Sequence, residues 1–469
     1  EEALASYDRA LAIRPDYADA LYSRGITLCD LKRPEEALAS YDRALAIRPD
    51  HAEALNNRGI TLCDLKRPEE ALASFDRALA IGPDHAEALN NRGNALLDLK
   101  RPGDALLSFD RALAIGPDYA EALNNRGIAL RDLNRLDDAL ASHDRALAIK
   151  PDYVEAHFNE GLVRLLIGDF RRGWEKYEWR WEKEPGKGAK RNFPKPLWLN
   201  NGDIAGKTIL LHSEQGLGDT IQFCRYAKIV SEKGGKVVLE VQPPLKALLA
   251  GTGGVDRVIG KGEVLPEFDY HCPLLSLPLA FRTTLESIPA DIPYLAPAAE
   301  RVQYWARCLP QFKPLRVGIV WSGSPTHKND RNRSIPLGRL APLFDMPNIQ
   351  FVSIQKDVTA EDSDILGDNP YIHHAGQDLR DFADAAAVVS MLDLVISVDT
   401  SVAHLVGAMG KPVWILLPFV PDWRWLLGRD DSPWYPTARL FRQPKIGDWD
   451  SVIERLRQEL MLLAARTVE

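Results

Sequence analysis

The stretch HSEQGLGDT, residues 212–220, contains an aspartate whose position suggests chemistry. Asp219 follows the apolar run 208–211, which is typical of a buried strand, and it precedes a predicted helix. In open α/β sheets, ligands bind outside the carboxyl ends of the strands. A carboxylate placed there could take a proton from a substrate hydroxyl, a step worth roughly 100- to 10,000-fold in rate. It could equally cap the helix beside a glycine-rich turn, so both interpretations stay open.

The stretch SVDTSVAH, residues 397–404, offers a candidate site of a different kind. The apolar run 394–398 predicts a strand, and residues 402–409 predict the helix that follows it. Free N–H groups at a helix start, together with the helix dipole, form an anion site that can stabilise a phosphate leaving group. Capping of the helix is the alternative for Asp399 and Ser401.

Large folded domains must position these two stretches, and the composition allows for them. The chain has 469 residues, 45% hydrophobic and 26% charged, which is enough for roughly two to four domains. The net charge of -8 gives no reason to expect a nucleic acid or an acidic membrane as partner. No apolar run approaches the ~20 residues of a membrane span. Five cysteines without CxxC spacing favour a reducing compartment, so we expect a cytoplasmic protein.

An internal repeat occupies the first third of the chain. The sequence EEALASYDRALAIRPDYADALYSRGITLCDLKRP begins it and recurs from residues 35, 69, 103 and 137. This period indicates a helical solenoid. The spacing of glycine, alanine, aromatic residue and proline within each unit resembles the tetratricopeptide repeat. The resemblance implies an all-α superhelix for residues 1–170, and we expect further repeats before it because the first unit opens half way through.

One polar residue recurs at the same place in successive units. Two residues before the signature glycine lie Asn57, Asn91, Asn125 and Asn159, with Ser23 in the first unit. Such repetition forms a ladder along the inner surface, and an amide that both donates and accepts can clamp an extended backbone. Similar ladders hold the protein substrate in O-linked N-acetylglucosamine transferases, which implies an acceptor protein on the concave face. Faithful copying by recent duplication is the alternative interpretation.

Beyond the repeats, strand-like and helix-like segments alternate. Residues 171–195 are predicted to form a capping helix that covers the last repeat, followed by a linker. Short β-branched runs separated by helices then indicate doubly wound, mostly parallel sheets. They divide into two Rossmann-like halves, residues 196–300 and 301–469, which face a cleft in the architecture called GT-B. The predicted strands are 208–212, 236–241, 270–273, 316–321, 350–354, 394–398 and 412–416.

The motifs GLGDT and DTSVAHLVGAMGKPVW resemble those of the glycosyltransferase family that includes the lipopolysaccharide heptosyltransferases. The resemblance implies that Asp219 is a general base and that the sugar is transferred by direct displacement with inversion. The family usually has glycine at the position of Ser401. The donor-binding residues that the two motifs imply are Gly218, Asp399, Thr400, Ser401 and His404.

Further donor contacts are expected from the loops of the second half. In the resembling family, a basic residue after the first strand of this half binds the donor phosphate, which makes Lys328 or Arg333 the candidate. Gln355 and Lys356 follow the next predicted strand and are candidates for contact with the nucleotide.

Two other patterns carry less specific information. Residues 362–364 and 448–450 match the DxD pattern of metal-dependent glycosyltransferases, but both lie in polar segments away from predicted strand ends. We therefore expect no metal and no other cofactor. Aromatic residues crowd the segments 419–425 and 433–436, where they either stack on a sugar or base or form a buried packing loop.

The whole chain resembles the flagellin glycosyltransferases of α-proteobacteria, in which tetratricopeptide repeats precede a catalytic part. The resemblance implies transfer of a sugar to Ser or Thr of an acceptor protein, such as flagellin, that the repeats recruit. The donor stays open between a nucleoside diphosphate-sugar and a CMP-sugar. Two alternatives remain: transfer to a saccharide or lipopolysaccharide, and a non-catalytic scaffold with a degenerate transferase fold.

Overall fold

A computed structural model describes residues 1–183, 191–309, 314–327 and 329–468. Their contacts divide the chain into two compact units, residues 1–163 and residues 164–469. Lys328, one of the two candidates for phosphate binding, lies outside the described residues.

The first unit consists of paired helices, and the predicted all-α superhelix is confirmed. A proline with fixed φ begins the second helix of several pairs, where its missing N–H leaves no bond unmade. The turn before that proline contains a residue with positive φ, such as Lys66. The helices are α1 (Glu2–Ile13), α2 (Ala18–Asp30), α3 (Pro34–Ile47), α4 (Ala52–Asp64), α5 (Pro68–Ile81), α6 (Ala86–Asp98), α7 (Pro102–Ile115), α8 (Ala120–Asp132), α9 (Leu136–Ile149) and α10 (Val154–Leu166).

Close helix packing explains the signature glycines of the repeats. A Cβ added to Gly59 would lie 2.5 Å from the ring of Phe75, and one added to Gly93 would lie 2.4 Å from the ring of Phe109. No side chain can occupy that space without displacing the ring, since protein interiors are close-packed. The aromatic residue and the glycine are therefore a matched pair in each repeat.

A polar network joins three consecutive helices at each step of the solenoid. Arg58 donates to Asp42 at 2.6 Å and also to the hydroxyl of Ser74. The same pattern recurs from three other arginines, Arg24, Arg92 and Arg126. These bonds repeat with the sequence, so they fix the same geometry between neighbouring helices along the unit.

The helix predicted to cap the repeats is grouped with the second unit. It forms α11 (Phe170–Tyr177) and a 3₁₀ turn, Glu178–Glu182. Trp174 is buried, its indole donates to the carbonyl of Thr283 at 3.0 Å, and its ring lies 5.2 Å from that of Trp423. The division between the units thus falls before the predicted boundary at residue 170.

The second unit contains two sheets in which every pair of named strands is parallel, as the β-branched runs predict. The first sheet has the order β3-β2-β1-β4 and the second the order β10-β9-β8-β5-β6-β7. The strands are β1 (Thr208–His212), β2 (Lys236–Val241), β3 (Arg257–Gly260), β4 (Tyr270–Pro273), β5 (Leu315–Val320), β6 (Ile349–Ser353), β7 (Ile372–His374), β8 (Leu394–Val398), β9 (Val413–Leu417) and β10 (Ala438–Arg442).

Helices fill the connections between these strands. The core of the second half gathers apolar residues from β5, β6 and β8 and from the last helix, Trp449–Val468. The remaining helices are α12 (Leu217–Phe223), α13 (Tyr226–Glu232), α14 (Lys246–Leu249), α15 (Leu277–Ala280), α16 (Ala299–Cys308), α17 (Asp330–Arg333), α18 (Ala360–Asp368), α19 (Phe382–Ser390), α20 (Ser401–Ala408) and α21 (Trp449–Val468).

A buried arginine ties the two sheets of the second unit together. Arg225, between α12 and α13, donates to the backbone carbonyl of Pro289 at 3.0 Å and to that of Trp434 at 2.9 Å. It also donates to the hydroxyl of Tyr294 at 2.8 Å. Its charge is thereby covered by polar partners from distant parts of the sequence, as a buried guanidinium requires.

Candidate functional site

The order of the second sheet creates a crevice at one of its edges. Strands β6 and β7 are added in turn on one side of β5. Strand β8 lies on the other side of β5, and β9 and β10 follow it outward. Doubly wound sheets bind ligands at this reversal, outside the carboxyl ends of the two central strands. The loop that contains Arg333 follows β5, and Asp399 follows β8, so both lie at the reversal.

Arg333 and the end of β8 are in direct contact. Arg333 Nη1 donates to the backbone carbonyl oxygen of Asp399 at 2.8 Å. The buried Thr400 hydroxyl lies 3.0 Å from that of Ser397, and the half-buried Ser401 is the first residue of α20. A guanidinium beside a helix N-terminus is an arrangement that suits a phosphate.

The carboxyl of Asp399 has an unusual electrostatic environment. Its side chain is only 14% exposed. Burial and the neighbouring Asp422 raise the pKa of Asp399 to about 6, while Arg333 acts in the opposite direction. His404 Nε2 lies 4.0 Å from this carboxyl, and burial lowers the pKa of His404 well below its ordinary value, so the imidazole is neutral at neutral pH.

The turn after β1 holds Asp219 by both of its carboxyl oxygens. One oxygen accepts the backbone N–H of Gly216 at 2.7 Å, and the other accepts from the guanidinium of Arg424. Burial raises the pKa of Asp219, whereas Arg424 and the Gly216 N–H lower it. The side chain retains 18% exposure. Asp219 therefore caps the turn, as one interpretation of the sequence has it, and it also belongs to a buried ion pair.

Arg424 is the site residue that the sequence analysis missed. Besides Asp219, it donates to the side chains of Gln222 at 2.8 Å and Asp422 at 2.7 Å. Its guanidinium lies 4.1 Å from the centre of the Trp423 ring. The available signal was a single arginine between two tryptophans in the aromatic segment 419–425, but its partner Asp219 is 205 residues away in the chain.

The two predicted motifs meet across the two sheets. A Cβ added to Gly218 would lie 2.8 Å from the ring of His404 and 3.4 Å from Cα of Ser401. Only glycine therefore allows α12 to approach the start of α20 so closely. The structure brings together Gly218, Asp219, Arg333, Asp399, Thr400, Ser401 and His404.

Of the two remaining donor-binding candidates in the described residues, Gln355 is held in other contacts. Gln355 is buried, its side-chain oxygen accepts the N–H of Ser322 at 3.2 Å, and its side-chain nitrogen donates to the carbonyl of Asp357 at 3.1 Å. Both ends of this amide thus join loops at the strand ends. Lys356 is exposed beside it.

The less specific patterns of the sequence form packing and capping contacts. Asp362 accepts the indole N–H of Trp321 at 3.2 Å and caps α18, and Asp448 accepts from Ser451 in the first turn of α21. Trp425 and Trp434 are fully buried, which decides in favour of the packing loop. Among the described residues, no group of three His, Cys, Asp or Glu is arranged to hold a metal ion.

The predicted asparagine ladder is bonded along the solenoid. Asn91 donates to Asn56 at 3.1 Å, and Asn125 and Asn159 donate to the buried asparagines of the preceding repeats at 3.0 Å. Asn57, at the amino-terminal end, donates to the hydroxyl of Tyr22 at 3.1 Å. All four ladder residues are half-buried. Each donates to one partner among the described residues, and an amide group carries a second hydrogen that a ligand could use.

The tetratricopeptide repeat family matches residues 1–32 and, in overlapping stretches, residues 30–172. This part of the chain therefore consists of tetratricopeptide repeats, which supports a protein-binding role. Protein FlbA of Caulobacter vibrioides is 27% identical over 326 residues, covering 65% of this chain and 54% of FlbA. The chain thus spans about half the length of this curated relative.

Several solved structures are similar over the repeats. YrrB, a TPR protein with an unusual peptide-binding site, is 23% identical, with 38% of this chain and 92% of YrrB covered and a TM-score of 0.32. PilW, a type IV pilus biogenesis factor, is 27% identical over 38% of this chain and 83% of its own, with a TM-score of 0.36. MamA is 23% identical over 34% of this chain and 93% of its own, with a TM-score of 0.31.

The structure bears on the expectations for membrane spans and for the cysteines. In the part of the chain that the structure describes, no helix is long and apolar enough to cross a membrane. All five cysteines fall within the described residues and carry free thiols.

Proposed function

We propose that the second unit is a GT-B glycosyltransferase that moves a sugar from a nucleotide-sugar to a Ser or Thr hydroxyl of a protein. The observation that carries this proposal is the contact between the two strand-end motifs: Gly218 lies against His404 and Ser401. Asp219 follows a strand of the first sheet, and α20 follows a strand of the second. The contact at Gly218 brings them close together. This arrangement supports a cleft in which one half supplies a base and the other an anion site.

In the proposed reaction, Asp219 takes the proton of the acceptor hydroxyl while that oxygen forms a bond to the anomeric carbon. The bond from this carbon to the donor phosphate breaks, and its electron pair leaves with the phosphate. Arg333 and the N–H groups at the start of α20 stabilise the developing negative charge, so no metal is needed for this role. Attack and departure occur on opposite faces of the sugar, which inverts the anomeric configuration.

Arg424 has a defined part in this mechanism. A general base must be ionised before it can accept a proton, yet burial raises the pKa of Asp219. The guanidinium of Arg424 favours the carboxylate form and fixes the orientation of its oxygen. Arg424 thus acts through Asp219 as a positioning residue.

The repeats supply the argument for a protein acceptor. Transfer to a small saccharide or a lipid-linked one requires no protein-binding solenoid, whereas a protein substrate must be recruited. The second amide hydrogens of Asn57, Asn91, Asn125 and Asn159 are suited to the backbone of an extended segment. We include flagellin among the acceptors to be tested because of the resemblance of the whole chain to flagellin glycosyltransferases.

The test is a calorimetric titration of the intact chain with UDP, GDP, ADP and CMP. We expect one of these nucleotides to bind, and we expect Ser401→Trp to abolish that binding by filling the space at the start of α20. Ser363→Trp places the same side chain on the exposed face of α18 and is the matched control. Binding that survives in Ser401→Trp would contradict the proposed donor site.

Turnover is tested with the sugar donor that corresponds to the bound nucleotide. We expect Asp219→Asn to bind the nucleotide normally. We expect it to cleave the nucleotide from the sugar donor roughly 100-fold more slowly, or more slowly still, since the proton acceptor is missing. An unchanged rate would remove Asp219 from the mechanism.

A second candidate function is a non-catalytic, protein-binding scaffold. It is favoured by one observation: both oxygens of Asp219 are already engaged, by Gly216 and by Arg424. In this case the ion pair joins the two sheets and has no further role. Failure of all four nucleotides to bind would favour the scaffold, with the repeats as the functional part.

A further inference from the structure

An acidic residue accompanies the asparagine ladder through the repeats. It lies four positions before the ladder residue on the same helix, and positions separated by four are neighbours on one helix face. The residues are Asp19, Glu53, Glu87, Glu121 and Glu155. We call the surface formed by these acids and the ladder asparagines the ladder face.

Contacts show that the ladder face is continuous between repeats. Asn56 donates to the carboxylate of Glu87 at 3.2 Å, and Asn57 donates to Tyr22 of the preceding repeat. Burial and the charge of Glu53 raise the pKa of the same Tyr22 hydroxyl. Glu53 and Glu87, acids from two repeats, therefore both act on the Tyr22 hydroxyl that accepts from Asn57.

Two of these acids have a cationic partner just after the second helix of their own helix pair. Arg48 lies 3.0 Å from Asp19, and Lys150 lies 3.7 Å from Glu121. Both cations occupy the same repeat position, the residue that follows the second helix. Each ion pair is exposed and joins the two helices of one pair, so the charge of the acid is compensated within the protein.

Each acid and the ladder residue four positions after it form one rung of the ladder face. The two rungs between Asp19 and Glu121, which we call the central rungs, lack this cation. The equivalent positions are Gly82 and Gly116, so Glu53 and Glu87 have no basic residue there. Glu53 contacts the imidazole of His51 at 3.1 Å, and its side chain is 63% exposed. Glu87 accepts from the neutral amide of Asn56. The middle of the ladder face thus presents two carboxylates next to Asn57 and Asn91.

The backbone does not require glycine at these two positions. Gly82 has φ -122° and ψ 87°, nearly the values of Arg48, φ -128° and ψ 86°. A Cβ on Gly82 would meet its nearest neighbour at 3.9 Å, and one on Gly116 would meet its nearest at 3.8 Å, both ordinary contacts. A side chain would therefore fit, and what the glycines change is the charge.

We propose that the central rungs of the ladder face bind an extended polypeptide segment rich in Lys or Arg. Asn57 and Asn91 bond its backbone, while its cations pair with Glu53 and Glu87, as Arg48 and Lys150 pair with Asp19 and Glu121. This rests on the proposed protein-binding function of the repeats and names the chemistry of the segment that they bind. Exposed ion pairs are individually weak, so binding depends on several rungs and decreases with salt.

The probe is fluorescence anisotropy of the intact chain with the labelled peptide KSGSKSGSKSGS, compared with QSGSQSGSQSGS. At low salt we expect the lysine peptide to bind roughly tenfold more tightly, equivalent to about 1.4 kcal/mol. Equal affinity of the two peptides, or an affinity for the lysine peptide that does not change with salt, would overturn the proposal.

Two double variants test the residues. Glu53→Gln with Glu87→Gln removes the two carboxylates, and Gly82→Arg with Gly116→Lys adds the cations found at the equivalent positions 48 and 150. Each should eliminate the preference for the lysine peptide. Glu35→Gln with Glu69→Gln removes two exposed carboxylates from the second helices and is the matched control.

The outcomes also separate this inference from the proposed transferase. A control variant that loses the preference equally would show a general charge effect and contradict the assignment. Peptide binding without nucleotide binding supports the ladder face in a scaffold. Nucleotide binding with no preference between the peptides overturns the ladder-face proposal and leaves the transferase proposal standing.

Discussion

At the scale of the residue, His143 shows how a repeat tolerates a polar substitution in its core. Tyr41, Phe75 and Phe109 fill the equivalent position in other repeats. His143 is fully buried, and neither ring nitrogen has a hydrogen-bond partner among the residues that the structure describes. Burial, with Arg131 adding to it, lowers the pKa of His143 to about 4. The ring is therefore neutral at neutral pH and its two polar atoms remain desolvated.

His143→Phe should stabilise the protein by about 1–3 kcal/mol at neutral pH because it removes unsatisfied buried polar atoms. It should also remove an acid sensitivity. Below the ordinary histidine pKa, the unfolded chain takes up a proton that the folded chain refuses until about pH 4, so the wild type loses stability across that interval. The free energy of unfolding, measured with urea at pH values across this interval, should depend less steeply on pH for His143→Phe than for the wild type. An equal dependence on pH would contradict the assigned pKa.

Asp399 predicts the opposite dependence on pH. Its pKa in the folded protein is raised to about 6, so the stability linked to this group is present at low pH and lost as pH rises through about 6. Asp399→Asn should match the wild type near pH 4 and exceed it by about 1–3 kcal/mol at neutral pH. Urea unfolding at both pH values measures this; a constant difference at all pH values would speak against it.

Arg424 and Asp219 should depend on each other strongly. Arg424→Met leaves a buried carboxylate without its cation and should cost about 3–5 kcal/mol of folding stability. In the double variant Asp219→Asn with Arg424→Met, much of that loss should be recovered. A double-mutant cycle from urea unfolding gives the coupling energy, and additive effects would show that the contact contributes little.

The residue scale also shows the limits of sequence analysis. Asp219, Asp399, Ser401 and His404 were identified as candidates because ligands bind at strand ends in doubly wound sheets. Arg424 was not, since the aromatic residues around it satisfy the local pattern of a packing loop. Its importance arises from a partner on the other sheet, which no local pattern encodes.

At the scale of the element, the glycines of the repeats predict a sharp contrast. Gly93→Ala places a Cβ within 2.4 Å of the Phe109 ring and should destabilise the repeats by about 1–3 kcal/mol. Gly103→Ala, near the start of α7, meets nothing within 4 Å and should stabilise by about 0.5–1 kcal/mol. Thermal unfolding of the two variants should move in opposite directions; equal shifts would contradict the packing argument.

Most helices and the longer strands follow from local signals. Period, proline and the positive-φ turns determine the repeats, and β-branched runs determine strands such as β1, β2 and β8. The strands β3, β7 and β10 were missed. They are short or carry arginine at an end, and their pairing depends on neighbours already in place.

At the scale of the whole molecule, the second unit should not survive division between its sheets. Arg225 needs the carbonyls of Pro289 and Trp434, and Arg424 needs Asp219. We expect a chain that ends before residue 434 to leave Arg225 incompletely paired and the first sheet open to protease. Limited proteolysis should therefore spare residues 1–163 but digest residues 196–300. Equal protection of both would contradict this dependence.

The same arginine has a consequence for synthesis on the ribosome, where the amino-terminal part of a chain emerges first. Arg225 is made 209 residues before Trp434, whose carbonyl helps to cover its charge. Until that carbonyl exists, the guanidinium stays in water because an uncompensated charge is costly to bury. We therefore expect the packing around Arg225 to become complete only after Trp434 has been synthesised.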